Sequence, residues 1–401
     1  MPKYQWFKIP EAIMKNIKAI SFIAVIFFAL TSFAFAQSAF THGSKPLQSA
    51  SVDKTKPDPN DKKFVEQLTN SASPIINGQW ATFVYRGDAR EVELVGEMTD
   101  WERRGLKFTS LAGAGIKYYS MQFPADARIE YKIIVDQQWM LDQLNANKKD
   151  NGVGGENSYL LMPRYKATDY TRERKGAKRG RIEPLDLPAD AQGRKRTARV
   201  YLPPGYDQSS VRYPTVYMSD GIEYLERAKA NVIVDNLIAE GRMRPVILVC
   251  LAPIERNKEY WMNKEYVDWL AAKLVSLIDA KYRTKASADA RAVAGVSLGG
   301  LTSVYAAFTH PEVFGNVLGQ SSAVQVNKEQ LLAELSAAPR QPIKWYLEVG
   351  RYEGLIEVNR KLKAALEKQG YRPAYREVNA GHNWTHWADE LAEGLSYLFA
   401  K

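Results

Sequence analysis

The chain has 401 residues, 45% of them apolar and 25% charged, the balance of a soluble globular protein with room for two or three domains. Its formal net charge is +10, which suits an anionic substrate or surface and equally suits solubility. One cysteine excludes a disulfide framework, and beyond the N-terminal segment no run approaches the roughly 18 apolar residues of a membrane span.

That N-terminal segment reads as an export signal. In "MKNIKAISFIAVIFFALTSFAFAQ" (Met14 to Gln37), Lys15 and Lys18 precede an apolar core from Ala19 to Phe33 and the small-x-small ending Ala34-Phe35-Ala36. The pattern predicts cleavage after Ala36, a periplasmic or secreted protein, and no stable membrane insertion afterwards; the alternative is an uncleaved anchor. Met14 opens this pattern better than Met1 does. Removing residues 1–36 takes away four lysines and one glutamate and leaves about +7. No cysteine near the cleavage site supports a lipid anchor. An exported chain without a recognisable nucleic-acid motif is not expected to bind nucleic acid.

From Gln37 to Ser73 the composition is polar ("SVDKTKPDPNDKK"), which predicts a linker with one short helix at Lys62 to Leu68. From Pro74 short alternating runs follow, "ATFVYRG", "EVELVGEM", "KYYSMQF" and "IEYKIIVD", each bounded by turn residues. They predict an all-β sandwich over residues 74–165, closing at "NSYLLMPRY". The basic stretch "TRERKGAKRGR" (Thr171 to Arg181) reads as a solvated hairpin or strand edge, where charge also blocks edge pairing.

Further on the rhythm changes. "ARVYLPP", "YPTVYMS", "PVILVCLA", "RAVAGV", "VFGNVLGQSS", "IKWYLEV" and "AYREV" are strand-like, and helical patterns such as "KEYVDWLAAKLVSLIDAKY" and "GLIEVNRKLKAALEKQG" lie between them. Strands alternating with helices imply an α/β domain over residues 166–401 with a mostly parallel sheet covered on both faces. Cys250 falls inside one of these apolar runs and reads as a small core residue.

The chemistry concentrates in three places. Gly295-Val296-Ser297-Leu298-Gly299 fits G-x-S-x-G, after an apolar strand and at the start of a helix. A serine held on a sharp strand-to-helix turn presents its hydroxyl as a nucleophile, and glycines let strand and helix pass closely. The helix N-terminus favours developing negative charge, so the Leu298 amide is one expected oxyanion donor. The second is the Ile222 amide, after Asp220-Gly221 in "YMSDGIEY".

A serine needs a base, and the chain has four histidines. His42 is in the linker, and His310 precedes a proline at a helix end. His382, in "NAGHNWTHW" after the last strand, fits the chain order serine, acid, histidine; His386 suits packing or substrate contact better. For the acid, "WYLEVGRYEGLIE" offers Glu348 within the strand, Glu353 in the loop past Gly350 and Glu357 on the helix, and Glu353 is best placed. Metal ligation is unsupported, the lone cysteine lying in a strand, so neither metal nor cofactor is expected.

These segments resemble an esterase family. "RAVAGVSLGGLTSVYAAFTHPEVFGNVLGQSSA", "LEVGRYEGLIEVNRKLKAALEKQGY" and "VNAGHNWTHWADEL" are similar to enterochelin-esterase-like proteins, which cleave trilactone siderophores. Feruloyl and acetyl-xylan esterases and mycolyltransferases are relatives. The resemblance covers roughly Arg181 to Lys401 and implies an α/β-hydrolase fold, with Ser297 as nucleophile, Glu353 as acid and His382 as base. It also implies substrate contacts at Asp220, Gly221, Arg256, Asn257 and Trp384. Where relatives read Q-S-G-S this chain has Gln320-Ser321-Ser322-Ala323, which predicts a changed pocket wall.

The front segment, with "VELVGEMTDWERRGL", "IEYKIIVDQQWMLDQLN" and "GGENSYLLMP", resembles an early-set, glycogen-binding-type module. The resemblance nominates Trp101, Lys132 and Trp139 as glycan contacts; the alternative is a module that only packs on its neighbour. Three functions follow as expectations: an exported serine ester hydrolase acting on a catecholate siderophore, a feruloyl or acetyl-xylan esterase, or a non-catalytic glycan-binding protein. A disused site has no reason to keep serine, glutamate and histidine together, which favours the enzymes. Oligomeric state is left open.

Overall fold

Two β-systems of different construction follow one another along the chain. The computed structural model describes residues 57–190 and 193–401; the export signal, its cleavage point and His42 lie outside the described residues. The first ten strands are β1 (Ile75–Asn77), β2 (Trp80–Arg86), β3 (Val92–Gly96), β4 (Leu106–Lys107), β5 (Thr109–Leu111), β6 (Ile116–Gln122), β7 (Arg128–Val135), β8 (Gln138–Met140), β9 (Lys148–Asp150) and β10 (Glu156–Leu161). They make two antiparallel sheets, β1-β2-β6-β5 and β4-β3-β7-β10-β9, with β8 paired on β7.

Strand alternation explains how the two sheets meet. On β7, Ile129, Tyr131 and Ile133 enter a core shared with Ala81 and Phe83 of the facing sheet, while Arg128, Glu130 and Lys132 point the other way. Helix α1 (Lys62–Asn70) starts at Asp61, whose side chain caps the Lys63 amide. Its Phe64 and Leu68 are buried against Val84 and Ile116. Each such side chain contributes about 1.5–3 kcal/mol when taken out of water. Residues 62–73, predicted as part of a linker, are therefore a packed extension of the sandwich. The polar composition hid two apolar residues four positions apart, enough for one seam.

The second system is one sheet of eight strands: β11 (Arg181–Pro184), β12 (Ala198–Leu202), β13 (Thr215–Met218), β14 (Ile247–Leu251), β15 (Arg291–Val296), β16 (Asn316–Gln320), β17 (Lys344–Gly350) and β18 (Ala374–Val378). The order is β11-β12-β14-β13-β15-β16-β17-β18. β11, β12 and β14 pair antiparallel, and every pair from β14-β13 onward is parallel. Strands β13 to β16 are buried along their whole length, as strands covered on both faces must be. Cys250 is one of them, fully buried on β14. The basic stretch before β11 forms no hairpin; it is mostly irregular, and only Arg181 joins the edge strand.

The covering helices are α2 (Gly221–Glu226), α3 (Ala230–Ala239), α4 (Arg256–Tyr260), α5 (Lys264–Trp269), α6 (Val275–Lys281), α7 (Leu298–Thr309), α8 (Val326–Ala337), α9 (Ile356–Lys368) and α10 (Trp384–Leu398). The single helix expected over 264–282 is α5 and α6 joined by a π-helical turn, Leu270–Leu274. α3 and α10 bring Ile233, Leu237, Leu391 and Leu395 onto one face of the sheet, against Val216, Leu248, Ala294 and Leu318.

The sandwich and the eight-stranded sheet touch directly. Arg128 donates its amide to the Asn379 carbonyl at 3.1 Å, and Asn379 Nδ2 donates to Asp126 at 2.7 Å. Tyr165 and the Thr168 amide both donate to Asp389 on α10.

Candidate active site

Strand β15 runs straight into Ser297, and α7 starts at the next residue. Ser297 has φ +57° and ψ −120°, a conformation that residues other than glycine rarely adopt. The turn is held from both sides: the Ser297 amide donates to Gln320 O at 2.9 Å, and its carbonyl accepts from Ala323 and Leu301 at 3.0 Å each. Strain of this kind persists only where neighbours over-determine it. At Gly295 a Cβ would lie 2.3 Å from the Gly299 carbonyl carbon, so strand and helix are in backbone contact and nothing larger fits.

The two expected oxyanion amides both occupy first helical turns, where N–H groups have no partner within the helix. Leu298 opens α7, and Ile222 is the second residue of α2. Asp220, just before α2, has φ +52° and does not cap the helix with its side chain. Its carboxylate instead takes a two-pronged contact from Arg256, Nε to Oδ1 at 2.9 Å and Nη2 to Oδ2 at 2.7 Å. The Asp220 side chain is 5% exposed and that of Arg256 37%, so of these two it is Arg256 that faces outward. Asn257 is exposed on α4.

Glu353 sits in the loop after β17, His382 in the loop after β18, and the His382 Nδ1 is hydrogen-bonded to Glu353 Oε2. The other carboxylate oxygen accepts from Ser321 Oγ and from the Gly350 amide, each at 2.6 Å. Burial alone pushes the Glu353 carboxyl up, but the His382 charge and hydrogen bond, His386 and the Ser321 hydroxyl outweigh it and hold it below the usual carboxylate range. The carboxylate is 1% exposed and the imidazole 34%, so the acid is shielded while the base reaches the surface. With Nδ1 engaged, Nε2 is the nitrogen free to exchange a proton.

Sequence reasoning missed the layer behind this pair. Glu348 and His386, the discarded alternatives for acid and base, bond to each other through Glu348 Oε2 and His386 Nε2. Glu348 Oε1 accepts from Gln320 Nε2 at 2.8 Å, and His386 Nδ1 donates to the Gly381 carbonyl at 2.8 Å. Burial works against charge on His386, yet the Glu348 carboxylate and its hydrogen bond win and raise it to about 10. Gln320 and Ser321 are fully buried and belong to this floor: Ser321 Oγ also accepts from Trp387 Nε1 at 3.0 Å. The changed Q-S-S-A segment thus lies under Glu353 and forms no pocket wall. Trp387 packs edge-on to His382, ring centroids 4.8 Å apart, and Trp384 packs edge-on to Tyr224 and Trp387. A second histidine and a second glutamate in the two motifs were the available signal for this pair.

The glycan candidates divide. Lys132 on β7 and Trp139 on β8 share the outer face of the larger sheet, because Trp139 pairs with Ile134 two residues from Lys132, and Trp139 is exposed. Trp101 lies on no strand but in the turn that leaves β3, with φ +59°.

The profile of the family described as "Putative esterase" matches residues 189–398, more than half of the chain. The chain belongs to this esterase family. Among curated relatives, an iron(III) enterobactin esterase of Escherichia coli strain K12 is 28% identical over 51% of this chain and 54% of its own length. An endo-1,4-beta-xylanase/feruloyl esterase of Xylanibacter ruminicola is 31% identical over 37% of this chain and 23% of its own length. The chain thus spans about half of the first of these proteins and a quarter of the second. A crystal structure of ferric enterobactin esterase from Salmonella typhimurium superposes with a TM-score of 0.69 at 20% identity, covering 83% of this chain and 98% of that one. The family member therefore has the fold of that α/β-hydrolase-type structure.

Proposed function

We propose that this chain is an exported serine ester hydrolase of the enterobactin-esterase type, in which Ser297, His382 and Glu353 act as nucleophile, base and orienting acid. The observation that carries the reading is the Glu353–His382 bond, made by loops after β17 and β18 of the same parallel sheet whose strand β15 ends in Ser297 on a strained strand-to-helix turn. Glu353 fixes the imidazole with Nε2 outward. Nε2 takes the proton of Ser297 Oγ as that oxygen attacks the ester carbonyl. The amides of Leu298 and Ile222 receive the oxyanion, and the leaving alcohol departs with the proton from His382. Water, deprotonated by the same nitrogen, then releases the acid from Ser297.

For the substrate, a ferric catecholate trilactone is the leading choice. The enterobactin-esterase relatives, the outward-facing Arg256 and the net positive charge support an anionic ester. Feruloyl esters of plant polysaccharide are the second reading, supported by the 31% identity to the xylanase/feruloyl esterase. The glycan-binding role of Trp101, Lys132 and Trp139 belongs with that second reading. Export rests on the Met14–Gln37 pattern and is checked by the N-terminus of the protein recovered from the producing cell.

The test incubates the protein from Gln37 with a ferric catecholate trilactone and, in parallel, with methyl ferulate and feruloylated xylan oligosaccharide. Linear catechoyl-serine products establish the first substrate. Ferulate release with the trilactone untouched establishes the second. No cleavage of either, or of 4-nitrophenyl acetate, refutes the esterase reading.

A further inference from the structure

Beyond the eight-stranded sheet, one turn of the sandwich makes contacts that a spacer would not need. After β3 the chain makes a 3₁₀ turn over Glu97–Thr99, followed by two residues, Asp100 and Trp101, at φ +52° and +59°. The turn is locked by bonds from the Gly96 amide to Thr99 Oγ1 and from the Trp101 amide to the Gly96 carbonyl. It points at the two loops that carry Glu353 and His382.

Around His382, both chain neighbours are engaged. Glu97 Oε1 accepts from Asn383 Nδ2 at 2.6 Å, and a Cβ at Gly381 would fall 2.2 Å from Glu97 Cδ. The Glu97 side chain therefore lies flat against the backbone just before the histidine and bonds the side chain just after it. Its other oxygen is fixed by the Glu130 amide at 2.9 Å, and Glu130 is itself paired with Arg128 at 3.0 Å. Asn383 Oδ1 caps α10 through the His386 amide at 3.0 Å.

Around Glu353 the pattern repeats. Asp100 Oδ1 accepts from the Gly354 amide at 3.1 Å, and a Cβ at Gly354 would meet Asp100 Oδ2 at 2.4 Å. On the other side, Tyr352 packs against Phe123 of the sandwich with ring centroids 5.7 Å apart. Residues 352, 354, 381 and 383 thus all rest on the sandwich, while Glu353 and His382 between them face each other.

We propose that the sandwich is a working part of the ester-cleaving site, with Glu97 and Asp100 as positioning residues that hold the His382 and Glu353 loops in register. The proposal rests on the Ser297–His382–Glu353 reading. Loops beyond a sheet are its most mobile parts, and a base displaced by about 1 Å costs on the order of a hundredfold in rate. Two anchored loops from one rigid turn remove that freedom. Asp100 also adds an electrostatic effect: burial raises its pKa, while the Gly354 amide and the His382 charge pull it down. The charged groups converging here are Glu353 on one loop, Asp100 and Glu102 on the turn, and the His386–Glu348 pair behind.

The experiment compares kcat and KM for 4-nitrophenyl acetate. The proteins are wild type, Glu97→Ala, Asp100→Ala, the conservative Glu97→Gln and Asp100→Asn, and Ser297→Ala, each with a thermal melt. The expected result is a fall in kcat of about 10- to 100-fold in the alanine variants, with KM within about twofold. Asp100→Asn keeps its acceptor for Gly354 and recovers most of kcat, and the acidic limb of its rate profile moves to lower pH because a negative charge beside the imidazolium is gone. If the alanine variants do not fold, that displaced limb and a reduced kcat in Glu97→Gln decide in favour. Full kcat and an unmoved profile in all folded variants, with Ser297→Ala inactive, overturn the proposal alone. Full activity in Ser297→Ala overturns the parent reading and this proposal with it.

Discussion

Glu353 reaches the Nδ1 of His382 across the gap between two neighbouring loops, and it is the shielded member of the pair, 1% exposed against 34%. In the proposed triad a carboxylate so placed does not meet substrate; it would select the tautomer and stabilise the imidazolium charge. Glu353→Gln is predicted to keep the fold and lower kcat by about 10³- to 10⁴-fold with KM little changed, as removal of the charge from such a pair does elsewhere. Glu348→Gln is predicted to leave kcat within about tenfold and to lower stability instead. Steady-state kinetics beside urea unfolding checks both, and the reverse ranking would reassign the acid.

The His386–Glu348 pair is the stability counterpart. His386→Leu leaves a buried carboxylate alone and is expected to cost about 3–5 kcal/mol, more than replacing both partners together with apolar residues of similar volume. The pH dependence follows from the sign of the shift. His386 holds its proton to about 10 in the folded chain and to about 6.5 when unfolded. Its contribution is complete below pH 6.5 and is lost as pH rises toward 10. Urea unfolding from pH 6 to 10 should show the wild type losing its advantage over His386→Leu across that window.

Glu97 titrates with a comparable consequence. Burial, and then the nearby charge of Glu130, raise its carboxyl to about 8. The unfolded chain releases that proton near 4.5, so the folded state loses stability as pH climbs from about 4.5 to about 8 and no further from this group. Glu97→Gln should flatten that part of the profile, read as the difference in unfolding midpoint between the two proteins at pH 5 and at pH 8. An equal difference at both values would refute ionisation of Glu97 in this range.

Arg256 and Asp220 predict a split between substrates. The guanidinium fork meets both Asp220 oxygens, a geometry lysine cannot copy. Arg256→Lys should raise KM for the catecholate trilactone at least tenfold while 4-nitrophenyl acetate changes less than threefold. Arg256→Ala should lower kcat for both esters, because the unpaired Asp220 sits two residues before the Ile222 amide. Parallel titrations with the two substrates read this out.

Much of the fold was legible because its determinants are local. The apolar strands after residue 194 were found from runs that only a two-sided sheet would bury, and the G-x-S-x-G turn from its place between strand and helix. Glu353 was separable from Glu348 by its position past Gly350. What stayed hidden depends on long-range approach. Nothing in "VGEMTDW" marks Glu97 and Asp100 as neighbours of residues 354 and 383, more than 250 positions away along the chain. The partnership of His386 with Glu348 was signalled only by the spare histidine and glutamate in the two motifs, because a helix face and a strand face meet only when α10 docks on β17. Helix α1 was seen as a short helix, but its seating on Val84 and Ile116 could not be read from a segment whose composition is that of a linker.

The lone thiol of Cys250, on the interior strand β14 between β12 and β13 and fully buried, has burial pushing its pKa up and no partner sulfur. The molecule therefore carries its own stopwatch. A thiol reagent added to the native enzyme is blind to loop breathing and to fraying of the edge strands. It records only openings that part β14 from its neighbours. One labelling rate, free of engineered probes and of background from other cysteines, reads how readily that part of the sheet opens in any condition under which the protein is stored or assayed.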